Sequence, residues 1–254
     1  MNFAWSYPLF LWLTPQDKLE SGFYRFNLGL CIIIGFCGVC ISYFISNMNF
    51  MEFIRLPNFI YTFSWLGLLS IITWYYWKQD KYPLYVVTII SIFGLWVSCV
   101  TAVELQLSIL NIGGFIIGTL TLSSVVFAMI LGHWYLNVTN LSIVFIRRSV
   151  ITLGIILVLR FLWNSWSISN STLIHMYSGE IRIIHYLQSF DGIFLWIAIL
   201  FGIVGAMIIN FMTYKTVKIH STQSATGLLY VNLVMILMAE IIFKYYMIHA
   251  GLIL

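Results

Sequence analysis

Two ionisable residues stand where lipid should forbid them: Arg160 and Glu240 each lie well inside a long apolar run. A charge at bilayer depth costs at least about 2.5–3.5 kcal/mol, so such a residue normally has a partner or a task. Arg160 follows Arg148 by twelve residues, and Glu240 follows Thr226 by fourteen. At a helical rise of about 1.5 Å per residue, both then sit roughly 18–21 Å from the same membrane boundary. They can meet if their helices are neighbours. Lys244 lies one turn beyond Glu240 on the same face and can join them. Such a cluster either locks two helices together or lines a polar pocket for a solute, a proton or a quinone headgroup. Arg160 has a third option, because its long stem can snorkel outward past Trp163 and Trp166.

The remaining candidates are weaker. His133 closes an apolar run in Leu131-Gly132-His133-Trp134-Tyr135-Leu136. A histidine there suits an aromatic interface belt, or a contact with a proton or a quinone headgroup. Gly132 beside it admits a ligand or a neighbouring helix. Membrane haem needs two histidines facing each other at similar depth. His133 has no intramembrane counterpart, and His185 and His249 fall at the interface, so haem is not expected. Glu104 and Gln106 end one run and Asp191 opens another, as accessory polar groups at solvated loop ends. Cys37 and Cys40 form a CxxC beside Cys31, but inside an apolar helix cysteine behaves as a small hydrophobe. Cys99 adds one thiol on another run. No metal-ligand spacing, GxSxG, HExxH, P-loop or dinucleotide fingerprint occurs, so no metal and no catalytic residue is assigned. Catalysis by the chain alone is not expected.

These groups must be positioned by helices in lipid. The chain has 254 residues, 61% hydrophobic and only 8% charged. A soluble domain carries roughly 25% charged residues, so there is no polar coat for a water-facing exterior. Apolar runs near 26–46, 58–77, 83–103, 109–135, 148–166, 191–213 and 226–249 are long enough to span about 30 Å of hydrocarbon. The expected fold is all-α: one integral membrane domain over residues 1–254, a polytopic bundle of about seven transmembrane helices between residues 26 and 249. Residues 1–25 read as an interfacial N-terminal segment, with Trp5, Tyr7, Phe10 and Trp12 in the headgroup layer and no basic region of a cleaved signal peptide. Residues 167–190 form a polar-aromatic outer interfacial loop. Ile181, Ile184 and Leu187 in it recur at helical spacing, which predicts a surface helix.

Loop charges set the orientation. One side holds Lys18, Arg25, Lys78, Lys81, Arg147, Arg148, Lys215 and Lys218; the other holds Arg55 and Arg182. That bias predicts the N-terminus inside and the C-terminus outside. The net charge of +4 is spread over these loops and forms no nucleic-acid footprint. Gly114 with Gly118, and Gly202 with Ala206, are pairs of small residues that allow close helix approach. They serve packing within the bundle or, on a helix flank, contact with another subunit or a second copy.

The sequence therefore predicts a multi-pass protein of a bacterial cytoplasmic or organellar inner membrane. Its partners are the lipid bilayer and other membrane subunits or a homo-oligomer. The leading expectation is a membrane-embedded subunit of a larger energy-transducing or electron-transfer complex, contributing to a quinone or proton site. The alternative is a small-solute or ion transporter, for which no internal repeat or broken helix speaks.

Overall fold

An apolar run in lipid must satisfy its backbone polar groups internally, and a helix does this within one segment. The structure is a computed structural model. It describes residues 2–14, 19, 21–46, 52, 56–79, 83–104, 109–138, 141–170, 172–175, 179–188 and 192–250. The long helices cover every apolar run read from the sequence. They are α2 (Ser21–Ser46), α3 (Pro57–Tyr75), α4 (Leu84–Glu104), α5 (Ile109–Asn137), α6 (Val144–Asn170), α8 (Ile193–Lys218) and α9 (Thr222–Ala250). Among the described residues, four are long and apolar enough to cross a membrane: Ser21–Phe44, Ile112–Asn137, Ile193–Lys218 and Thr222–Met247. This matches what an integral membrane protein requires. Helix α6 falls outside that set although it is long. Arg160, Asn164 and the Ser-Trp-Ser run after them replace aliphatic side chains in its second half.

The contacts divide the chain into two units, residues 1–108 and 109–254. In the first, α1 (Asn2–Ser6) runs into a 3-10 turn (Tyr7–Leu13), and both pack on α2 and α4. The four aromatics read as headgroup-layer residues divide between the interior of this unit and its surface. Trp5, Tyr7 and Phe10 are buried, and of the four aromatics only Trp12 is exposed. The polar tips of Trp5 and Tyr7 find partners inside the unit. The Trp5 indole donates to Ser98 Oγ at 2.7 Å, and the Tyr7 hydroxyl donates to the Asn27 side-chain oxygen. Gly94 permits the close approach, since a Cβ there would lie 2.5 Å from that of Trp5.

In the second unit, α5, α6, α8 and α9 form a ring in which each helix packs on two others. Val125, Val150, Leu153, Leu157, Leu229 and Ile236 fill its core. A second cluster around Ile183, Leu195, Ile203, Ala239 and Phe243 closes one end. The connection between α6 and α8 differs from the predicted surface helix. Thr172–His175 (β1) and Gly179–Arg182 (β2) pair antiparallel, with Leu173 opposite Ile181. Among the described residues of this connection, Ile183–Leu187 (α7) is the helical stretch. The β-branched Thr172, Ile174 and Ile181 favour the pleated pairing, so Ile181 belongs to a strand.

Helix α8 is not uniform. Residues Ala198–Gly205 are π-helical, between α-helical Ile193–Ile197 and Ala206–Lys218. It ends in a tight turn in which His220 takes a left-handed conformation at φ 62°. The His220 and Ser221 amides donate back to Val217 and Thr216, which satisfies the helix's last carbonyls and turns the chain into α9.

The exterior is apolar. Phe44 is 76% exposed and Trp74 79%, and large aliphatic side chains are exposed along most helices. Water would penalise such a surface, whereas lipid does not.

Candidate functional site

The polar centre lies in the second unit, where α5, α6 and α9 converge. Arg160 sits on the α6 face that buries Leu153, Leu157 and Asn164, so helical periodicity carries its stem inward. It is only 2% exposed. Its Nη2 donates to Glu240 Oε1 at 2.9 Å, and its Nη1 donates to the Gly114 carbonyl at 3.0 Å. The guanidinium also lies over the Phe243 ring, 5.1 Å from its centroid. Snorkelling is thereby excluded for this side chain. The Lys244 ammonium stands 3.9 Å from Glu240 Oε2, one turn along α9, and its side chain is about half exposed (46%). The carboxylate thus has a fully enclosed cation on one oxygen and a cation open to the surroundings near the other.

Glycine makes the geometry possible. A Cβ on Gly118 would lie 2.9 Å from both Arg160 Nη2 and Glu240 Oε2. A Cβ on Gly114 would lie 2.3 Å from Trp163 Nε1. On α8, a Cβ on Gly202 would lie 2.2 Å from the Ala239 Cβ, beside Glu240. Ala206 is fully buried in the core. These four positions therefore serve packing within the unit. Of the two readings of these small residues, packing within the unit is the one the distances support, because their space is already filled by Trp163, the ion pair and α9.

The cavity lined by Gly118, Arg160, Glu240, Phe243 and Lys244 holds about 20 Å³. That admits one water-sized guest, which needs roughly 10–15 Å³, and no quinone ring. Arg160 Nε and both polar side-chain atoms of Asn164 find no partner among the described residues. Both polar atoms of Asn232, fully buried on α9, are in the same condition. Sequence reasoning missed these asparagines. Asn164 could have been found, since it lies one turn beyond Arg160 on the same face. The Gly114 carbonyl, as a backbone ligand, left no signal at all.

The other sequence candidates do not join this centre. His133 is exposed on α5, with its Nδ1 3.1 Å from the Tyr230 hydroxyl. Gly132 is used by a neighbouring helix: Thr226 Oγ1 donates to its carbonyl at 3.0 Å. Glu104 ends α4, and its side chain lies outside the described residues, as do Gln106 and Asp191. Cys31 is buried, Cys37 exposed, and Cys40 and Cys99 intermediate, all as free thiols. Among the described residues, no group of three or more His, Cys, Asp or Glu could hold a metal.

Comparisons of the chain with protein-family models, with curated proteins and with solved structures give no match.

Proposed function

We propose that the protein is a non-catalytic, membrane-embedded subunit of a larger energy-transducing or electron-transfer complex, with Arg160, Glu240 and Lys244 as its charged centre. The observation that carries this reading is a buried ion pair between two long helices with, among the described residues, a cavity of only about 20 Å³ beside it. A centre of that kind holds fixed charge inside the unit, with one enclosed cation and one half-exposed cation on a single carboxylate. It has no room for a quinone ring, so a quinone would have to bind elsewhere. The transporter reading draws on the same three residues, but a solute larger than water does not fit next to them. Partner subunits would meet the exposed apolar flanks, since the small-residue pairs are spent on internal packing. A specific interface needs about 1,200–2,000 Å² in total, which such flanks supply more readily than short loops.

The test is purification in mild detergent. The subunit reading expects the chain to be recovered in a stable heteromeric assembly. Recovery of the chain alone, with solute uptake in proteoliposomes, would replace this reading with the transporter.

The accompanying topology is seven crossings, N-terminus inside and C-terminus outside, in a bacterial cytoplasmic or organellar inner membrane. The eight-to-two loop bias of Lys and Arg supports the orientation. Cysteines introduced at Gln79 and Ser169, both exposed, check it. In intact cells an impermeant thiol reagent should label position 169 and spare position 79. The opposite pattern reverses the orientation.

A further inference from the structure

We propose that the groove between α6 and α8 is a binding site for one anionic phospholipid, with an acyl chain in the groove and the phosphate at its basic mouth.

The groove is large and apolar, about 550 Å³, and open to the exterior. Ile155, Val158 and Leu159 form one wall, and Met207, Phe211 and Tyr214 the other. Gly154 hollows its floor, because a Cβ there would meet the Asn210 amide nitrogen at 2.9 Å. That same nitrogen donates to the Val150 carbonyl at 3.1 Å. The bond ties α6 to α8 beneath the groove and fixes their antiparallel register. From Val150 to Val158 the groove runs eight residues along α6, about 12 Å at the helical rise. This suits much of an acyl chain.

The mouth is set by that register. Arg147 and Arg148 precede Val150 on α6, and Lys215 and Lys218 follow Asn210 on α8, so all four cations gather at one end. All four are exposed. Helical spacing places Arg147 and Arg148 on the face of Ile151 and Ile155, and Lys215 and Lys218 on the face of Phe211. The Lys215 ammonium lies over the Phe211 ring at 5.2 Å from its centroid, at the edge of the groove itself. No Asp or Glu occurs in residues 136–179 or 192–239, so neither helix carries a carboxylate to neutralise the mouth. An apolar slot ending in four exposed cations, with no carboxylate on either helix, is complementary to an acyl chain ending in a phosphate. A zwitterionic headgroup, which carries its own cation, fits the mouth less well. Each basic side chain near a headgroup contributes roughly fivefold in binding of anionic lipid.

Native mass spectrometry of the full chain tests this after equilibration with equimolar dioleoylphosphatidylglycerol and dioleoylphosphatidylcholine. The wild-type chain should retain the glycerol lipid over the choline lipid by at least about tenfold. Combined Arg147→Gln, Arg148→Gln and Lys215→Gln exchange should bring that ratio to within about twofold of one. Ile155→Trp, which fills the groove and leaves the charges, should lower retention of both lipids together. Circular dichroism and thermal melting report whether each variant is folded. Should the triple variant lose its helicity, Lys215→Gln alone should still cut the ratio by a few-fold. A wild-type ratio near one, or a charge variant with the wild-type ratio, would overturn the proposal. So would retention of phosphatidylglycerol unaffected by the tryptophan, because the headgroup would then be held without the groove.

Discussion

Arg160→Met should destabilise the second unit by roughly 3–5 kcal/mol, and combining it with Glu240→Gln should recover much of that loss. The asymmetry follows from what each variant leaves behind. In the single variant, Glu240 stays 3% exposed and keeps only Lys244, at 3.9 Å and half out in the surroundings. A buried carboxylate without its near partner bears most of its desolvation cost uncompensated. In the double variant both charges are gone, and methionine can refill the space over Phe243. The Gly114 carbonyl loses a donor in both cases, so the double variant should not be neutral. Thermal or denaturant unfolding in detergent reads the difference. Additive damage from the two exchanges would mean that the 2.9 Å contact contributes no coupling.

Gly118→Leu should abolish the folded second unit, at a cost on the order of 3–5 kcal/mol. Leucine needs the space that Arg160 Nη2 and Glu240 Oε2 occupy, both 2.9 Å from where its Cβ must be. It therefore overpacks the interior and splits the ion pair in one step. The measurement is chain abundance in the membrane together with the melting transition after solubilisation. A variant that accumulates normally and melts like wild type would place Gly118 on a free helix flank after all. This expectation separates packing from assembly, since loss of a partner alone would leave the isolated chain's melting unchanged.

How much was legible in advance depends on the physical signal each feature leaves. Helix positions are legible because lipid solvent imposes long apolar runs, and α5 begins at residue 109, where its run does. The shared level of Arg160 and Glu240 is legible because depth in a helix is only rise times residue number. The choice of neighbours is not. Nothing in the order of residues says that Trp163 fills the notch at Gly114, or that Ala239 fills the one at Gly202, since a small-residue pair looks the same facing inward or outward. The burial of Trp5 and Tyr7 leaves no signal in the sequence for a related reason. Trp5 and Tyr7 carry a polar tip on an apolar body, which suits a headgroup layer and equally a protein interior offering Ser98 and Asn27. At residues 172–187 the apolar spacing is short enough to fit either period, and strand pairing took the first half.

The π-helical stretch at Ala198–Gly205 bears on how this chain can change length over generations. A wide turn holds more residues per revolution than an α-helical one, so loss of a single codon there would let the segment relax into ordinary helix without breaking it. The hydropathy profile would hardly register the event. Because the wide turn already accommodates the extra residue, its removal would leave the α-helical flanks close to their present register, with Asn210 still on Val150 and the four cations still at one mouth. The same deletion in the α-helical stretch Ala206–Lys218 would instead swing one flank by about 100° against the other. Along this helix, loss of one apolar residue should therefore be tolerated best within Ala198–Gly205 and far less well than a substitution elsewhere.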